Sequence, residues 1–284
     1  MISSPCMVCG HPVDIPWLEN CADLYLRTPF CVNYGVCHHC HLVQQIPVPL
    51  DTGRFYPAYP MHQPRKIIYD WARKILHGQV YLRPPSDLQT GRLLDFGCGD
   101  GSYLQSIRSH VGRVYGFEPN CQVAEMASAR LGVPVYYDLQ ILLTELARSV
   151  DYVAAHFVLE HVTDLQAMFK LFAEVLKPGG FLHVVVPNIR SWEARLFGRK
   201  WHGLDAPRHV SFPDEVSLEI LSEQHGFQLK TMSSAVFPNT LAASLATIVA
   251  GHYQNGFFLA FIPLSLLLSG IAPSGTRSFI MQKG

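Results

Sequence analysis

Charge is what this 284-residue sequence has least of. Only 15% of its residues are Asp, Glu, Lys or Arg, against roughly 25% in an average soluble domain. The two signs balance at 22 each, and no basic run supplies the electrostatic footprint that phosphate backbones require, so nucleic acid is not expected as a partner. The chain does not open with a basic segment leading into an apolar run, so a secretory leader is not expected and a reducing cytoplasm is. Internal repeats are absent, and no apolar run reaches the roughly 20 residues that span hydrocarbon. The shortage of charge is also uneven. Between Lys230 and Arg277 there is not one Asp, Glu, Lys or Arg.

Cysteine, at eight residues, is plentiful. In a cytoplasmic chain, pairs separated by two residues read as metal ligands and not as disulfides. Cys6-x2-Cys9 and Cys37-x2-Cys40 form two such knuckles and suit one structural Zn2+ in a closed, all-thiolate site. Cys21, Cys31, His11, His38, His39 and His41 are spare donors, and a redox dithiol or a metal-free loop are the alternatives.

The middle of the chain alternates. Strand-like runs at 92–97, 113–118, 133–138, 151–157 and 180–187 are separated by helical patterns at 102–111, 121–131, 139–148 and 164–176, the last closed by Lys177-Pro178-Gly179-Gly180. This order predicts an α/β fold with a parallel sheet covered on both faces. A further helix is expected at about 214–225, then the strands FQLKTM and TRSFIMQK, and a connecting amphipathic helix at 64–79.

The sharpest motif is Leu93-Leu94-Asp95-Phe96-Gly97-Cys98-Gly99-Asp100-Gly101, a strand entering a glycine turn. Glycines there let a ligand touch backbone. Glu118 ends the next strand, 19 residues after Gly99, where a carboxylate can accept hydrogen bonds from two ribose hydroxyls. Ser102 occupies the third-glycine position of a dinucleotide fingerprint, which argues against a nicotinamide oxidoreductase. An ordinary tight turn with a solvated Glu is the plainer alternative. His156, Glu160 and His161 lie just past the fourth strand, at the sheet edge where open α/β proteins place ligands. Structural histidines, a helix-capping acid or a metal at Glu160-His161 are the other readings. Residues 201–212 form a polar-aromatic segment in which His209 can act as a base and Arg208 can hold an anionic group, unless salt bridges tie it down as a surface loop.

Together these motifs resemble the class I S-adenosylmethionine-dependent methyltransferases over about 91–235: LDFGCGDG as the cofactor loop, Glu118 as the ribose acid, VLEHV at 158–162 and VLKPGG at 175–180. The resemblance implies a Rossmann-like seven-stranded sheet in the order 3-2-1-4-5-7-6, the seventh strand antiparallel. It also implies S-adenosylmethionine bound by Asp95, Gly97, Cys98, Gly99, Glu118 and His156. Asp138 matches the place of an acid that meets the adenine amine, with helix capping as an equal alternative. The zinc knuckles, the core and a later loop with His209-x-x-Phe212 resemble a subgroup that includes sugar C-methyltransferases and enzymes of surface-polysaccharide and secondary-metabolite pathways. That subgroup carries Glu-His where this sequence has Arg208-His209, and a long C-terminal domain that this sequence does not show, so C-methylation of a keto sugar is not implied. By the same resemblance Tyr56 and Tyr59 approach the cofactor, or simply pack.

The resulting expectation is a zinc-ribbon-like module at 1–50, a linker and connecting helix at 51–90, and a methyltransferase domain at 91–284 with an apolar insertion at 236–272. His209 is the expected base, with His161 and Glu160 beside it. A non-catalytic scaffold of the same fold is the rival. The insertion joins two apolar segments, about 240–250 and 257–272, through a polar turn, as a helical hairpin between two strands of one sheet. Such a hairpin dips into one leaflet, covers a greasy acceptor pocket or is buried in a homodimer. The expected acceptor is accordingly a small or lipid-linked molecule, and the expected location cytoplasmic with peripheral membrane contact.

Overall fold

Short strands and cysteine-bearing turns open the chain in the computed structural model, which describes residues 4–56, 86–234, 238–269 and 275–284. β1 (Ser4–Pro5) pairs with β2 (Pro12–Val13), while β3 (Ile15–Ala22), β4 (Cys31–Val36) and β5 (Val43–Ile46) form an antiparallel meander. This meander takes a fourth strand, Ser211–Phe212, from far downstream. The connecting helix expected at 64–79, and Tyr59 with it, lie outside the described residues.

The main sheet contains β6 (Arg92–Phe96), β7 (Arg113–Phe117), β8 (Val135–Tyr136), β9 (Val150–His156), β10 (Leu176–Pro187), β12 (Phe227–Ser234) and β13 (Thr276–Lys283), with Ser211–Phe212 as β11 in chain order. Its spatial order is β12-β13-β10-β9-β6-β7-β8, and β13 runs antiparallel to both neighbours. This is the expected order of a seven-stranded Rossmann-like methyltransferase sheet. Leu93, Leu94, Val153, Ala155, Leu182 and Val184 are all buried, as central strands covered on both faces require.

Between the strands lie α1 (Ser102–Ile107), α2 (Cys121–Leu131), α3 (Leu139–Leu146) and α4 (Leu165–Val175). In α4, Leu165, Phe169 and Phe172 recur at helical spacing and are fully buried, and the Asp164 side chain caps the first turn by accepting from the Ala167 amide at 2.9 Å. The stop after Val175 falls where Pro178 and the two glycines predict it. These residues are absorbed by a register shift at the start of β10, between Leu176 and Phe181. α5 (Trp192–Phe197), which the sequence pattern did not suggest, precedes α6 (Glu215–Gln224), itself closed by a reciprocal Asp214/Ser217 cap.

α7 (Pro238–Ala250) and α8 (Asn255–Ser269) follow β12 and pack against each other. Small residues of α7, Ala242, Ala243 and Ala246, face inward, while Ile248, Val249, Leu264, Leu266 and Leu267 are exposed. Among the described residues no helix is long and apolar enough to cross a membrane.

The N-terminal sheet meets the main sheet through the loop 201–212. The Arg208 guanidinium is fully buried there. It donates from Nη1 and Nη2 to Asp23 at 2.9 Å each, and from Nε and Nη2 to Asp205 at 3.0 and 2.6 Å, with the Tyr25 ring 5.6 Å from Cζ. Arg208 is therefore not available to an anionic acceptor, because both faces of its fork are taken by carboxylates of this chain. The loop is tied down by ion pairs, as one sequence reading had it, but it is buried and not on the surface. Around it the Gln45 amide donates to the carbonyls of Pro207 (2.7 Å) and His209 (3.0 Å), and the Tyr34 hydroxyl to that of His209 (2.8 Å).

Burial alone would raise Asp23, but hydrogen bonds from Arg208, Thr28 and the Leu26 amide outweigh it and hold the carboxyl at about 2. An acid lowered on folding stabilises the protein above its unfolded value of 3.8, and that contribution is lost as pH falls through the folded value. Arg208→Met, which leaves two buried carboxylates uncompensated, is expected to cost about 3–5 kcal/mol in urea unfolding near neutrality. Wild type should lose stability between about pH 4 and 2 more steeply than Asp23→Asn. Equal unfolding midpoints for Arg208→Met and wild type would refute the role given to this pair.

Candidate functional site

The glycine turn after β6 is possible only for glycine. Gly97, Gly99 and Gly101 have φ of 78°, 52° and 72°, and a Cβ at 97 would lie 2.7 Å from Val158 Cγ2. The amides of Gly97 and Cys98 donate to the Phe117 carbonyl at 2.8 and 2.9 Å, which pins the turn against β7. Glu118, at the end of β7, reaches across it: Oε2 accepts from the Gly99 amide at 3.1 Å and Oε1 from the Asn120 amide at 3.0 Å. Asp95 is buried beneath the turn. Desolvation, reinforced by Glu118 and Asp100, pushes its carboxyl up to about 8. The Cys98 thiol points inward, with its Sγ only 2.8 Å from where a Cβ on Gly116 would sit, and burial raises its pKa, so Cys98 offers the site its backbone.

His156 stands at the end of β9 with its ring edge-on to Tyr103, centroids 4.8 Å apart. Its Nε2 is 3.2 Å from Nδ1 of His183, which is in turn 2.8 Å from the Tyr152 hydroxyl, while His183 Nε2 is 2.8 Å from Ser278 Oγ. Burial keeps both imidazoles neutral, His183 being pushed down to about 4. Asp138 caps α3, its Oδ1 accepting from the amides of Gln140 (2.7 Å) and Ile141 (3.3 Å). Of the two readings its sequence context allowed, this is the one the fold displays.

Past β9 the chain makes a short 3-10 turn, Leu159–His161, which the Val210 amide fastens by donating to the Glu160 carbonyl at 2.5 Å. That contact brings residues from two distant segments together. Glu160 is completely buried, neither carboxyl oxygen has a hydrogen-bond partner among the described residues, and burial pushes the group up to about 8. His161 Nδ1 lies 2.8 Å from the Tyr56 hydroxyl and 3.1 Å from the Arg208 carbonyl. The His209 ring meets that of His161 edge-on, centroids 4.7 Å apart, and its Nδ1 is 2.9 Å from the Gly203 carbonyl. A carbonyl only accepts, so the His209 proton sits on Nδ1 and the lone pair on Nε2. Desolvation first, and His161 second, push His209 down to about 3. Donor atoms of Glu160, His161 and His209 all lie within 4.8 Å of one another. Sequence reasoning named all three but had no means of joining them, and it did not find Asp23 or Asp205, whose grip on Arg208 sets the position of His209.

At the N-terminus the two cysteine knuckles converge. Cys6 and Cys40 Sγ are 3.3 Å apart, Cys9 and Cys37 Sγ 3.5 Å, and all four sulfurs fall within 4.8 Å with no disulfide among them. Cys21 and Cys31 lie away on β3 and β4.

A family model described as a methyltransferase domain matches residues 65–231. In sequence the chain is similar to a ubiquinone biosynthesis O-methyltransferase of Methylobacterium nodulans, 32% identical over 126 residues, which are 42% of this chain and 51% of that one. The chain spans about half the length of the curated relatives it matches. In structure it is similar to phosphoethanolamine N-methyltransferase 2 of Haemonchus contortus, with a TM-score of 0.54 at 16% identity, covering 85% of this chain and 62% of that one. It is also similar to an S-adenosylmethionine-dependent methyltransferase of Mesorhizobium loti, with a TM-score of 0.50 at 16% identity, covering 75% and 99%. At these identities the two structures speak for the fold.

Proposed function

The chain belongs to the methyltransferase domain family, and from that membership we propose that it transfers a methyl group from S-adenosylmethionine to a small-molecule acceptor. The observation that carries the reading is the Gly97–Gly101 turn with the Glu118 carboxylate laid across it. On this reading Glu118 receives the ribose hydroxyls, and the backbone of Gly97, Cys98 and Gly99 lines the methionine end. Asp95, a buried carboxyl crowded by Glu118 and Asp100, gains the positive charge its surroundings lack. His156, wired to the sheet interior through His183, closes the far wall, and Asp138 stands where the adenine is expected. The cofactor supplies a methyl group on a sulfonium. Because the relatives are named for O-methylation, a hydroxyl acceptor is favoured. The methyl carbon then bonds to the acceptor oxygen, the sulfur–carbon electron pair stays on sulfur, and the hydroxyl proton leaves through the cluster of Glu160, His161 and His209. The chain's own contribution is alignment and proton removal.

Two finer assignments go with it. The charge-free stretch between β12 and β13, with Ile248, Val249, Leu264, Leu266 and Leu267 exposed, supports a hydrophobic or lipid-linked acceptor met at a membrane surface. The four converging sulfurs support a Zn2+ held by Cys6, Cys9, Cys37 and Cys40: tetrahedral ligation at about 2.3 Å places sulfurs roughly 3.8 Å apart, close to the 3.3 and 3.5 Å separations. Four thiolates leave no open position, so the ion would hold the N-terminal module in shape and perform no chemistry.

Calorimetry tests the cofactor. Wild type should bind S-adenosylmethionine, and Glu118→Ala should bind more weakly by about 1–3 kcal/mol. Asp95, largely protonated at neutral pH when its pKa is about 8, should lose its proton when a cation arrives. Binding at pH 7 should thus release a proton to the buffer, a release that Asp95→Asn abolishes. No binding heat for wild type, or equal affinity for Glu118→Ala, would overturn the reading. Elemental analysis should find about one zinc per chain, lost in Cys6→Ser/Cys37→Ser; full retention in that variant rejects the site. Full-length protein should float with liposomes and a variant lacking 239–272 should not. A full-length dimer that stays in the soluble fraction would instead place these helices between two copies of the chain.

A further inference from the structure

A buried carboxylate without a hydrogen-bond donor is costly, and native structures provide such a group with a partner. Glu160 has none among the described residues, although it is completely buried. Among the described residues no side-chain cation answers it: Arg208 turns Nε, Nη1 and Nη2 to Asp23 and Asp205. What stands beside Glu160 is imidazole, from His161 and His209. In His209 the Gly203 carbonyl holds the proton on Nδ1. In His161 a proton on Nδ1 serves both the Arg208 carbonyl and the Tyr56 oxygen, which leaves the Nε2 lone pair for the site. Histidines that bind metals are oriented in this way, with the second ring nitrogen donating to a carbonyl or carboxylate.

We propose that Glu160, His161 and His209 form a binding site for a divalent transition-metal cation, separate from the four-cysteine cluster. Two imidazoles and one carboxylate are a donor set for manganese, iron, cobalt or zinc, and three protein ligands leave coordination positions open. The donor atoms lie within 4.8 Å of one another, and an ion about 2.1 Å from each would draw them to roughly 3.4 Å apart, a movement within the reach of side-chain rotation. The positive charge supplies the partner that Glu160 lacks. The site also has a defined place in the fold. It is carried on the turn that follows Val158, and the Val158 side chain sits over Gly97 of the cofactor loop. If the methyltransferase reading holds, an ion held by Glu160, His161 and His209 would replace direct proton uptake by these side chains, because it would lower the pKa of an acceptor hydroxyl at an open position and let the proton leave to water. The binding of the ion does not depend on that reading.

Mn2+ is the probe, because a cluster of four thiolates does not compete for it in zinc-loaded protein. Electron paramagnetic resonance of full-length chain given a single equivalent of zinc, which the four cysteines take first, and then titrated with Mn2+ should report about one bound ion per chain. Glu160→Gln and His209→Gln should each weaken it at least tenfold, as loss of a metal-site group does. Thermal melting of the metal-free variants confirms folding, and S-adenosylmethionine calorimetry without Mn2+ reports the cofactor site independently. Wild type that holds no Mn2+ beyond the level of the Glu160→Gln/His209→Gln double variant, or single variants that bind it as wild type does, would overturn the proposal. Failure of the methyltransferase reading would show instead as absent cofactor heat with Mn2+ binding intact.

Discussion

One buried guanidinium between two buried carboxylates holds the architecture of the site in place. Asp23 belongs to the loop that follows β3 of the N-terminal sheet, whereas Arg208 and Asp205 belong to a loop nearly two hundred residues later. Such a cluster does not tolerate loss of one member, because the others are left charged in a medium that solvates them poorly. Everything nearby follows from it. With Arg208 pinned, the carbonyls of Pro207 and His209 meet Gln45 and Tyr34, Ser211–Phe212 completes the small sheet beside β5, and the Val210 amide reaches Glu160. The N-terminal module thus supports the 205–209 loop through Asp23, Tyr34 and Gln45.

The two halves of the site are built on opposite terms. Around the glycine turn the backbone is relaxed and satisfied: positive φ falls on three glycines, amides are answered by Phe117 and Glu118, and an imidazole pair is neutralised by burial and tied to Tyr152 and Ser278. Around Glu160, His161 and His209 the terms are harder: Phe157 and Asp205 hold positive φ of 58° and 33° without being glycine, and among the described residues the Glu160 carboxyl has no hydrogen-bond partner. Natural folds break local rules at functional positions and compensate elsewhere, and the compensation here is the dense apolar packing of Leu159, Phe169 and Phe172 beneath the turn.

Much of the fold was legible in the residues. Apolar runs of six to eight residues, most of them bounded by glycine or proline, fell on strands of the sheet. Asp164 and Asp214 marked helix starts, and the spacing of the Gly97–Gly101 turn to Glu118, nineteen residues beyond Gly99, marked two adjacent strand ends that the fold joins by a hydrogen bond. All of these are local signals, in which residues a few positions apart state a period or a cap. Where local patterns were short, the reading overshot: the helix expected at 102–111 ends at Ile107, and α5 carries too few turns to show a period.

Residue types alone determined that the chain holds a glycine turn with an acid nineteen residues beyond Gly99, two cysteine pairs and a group of acid and imidazole side chains near the sheet end. Each of these is written in spacing along the chain. Only the tertiary structure decided that Arg208 is an internal tie and no anion receptor, that His209 lies against His161, and that Glu160 is buried beside them with no donor among the described residues. The reason is physical. Those facts depend on which groups are buried together, and a buried charge takes its partner from whatever the fold brings within reach, here Asp23, which no pattern around Arg208 contains.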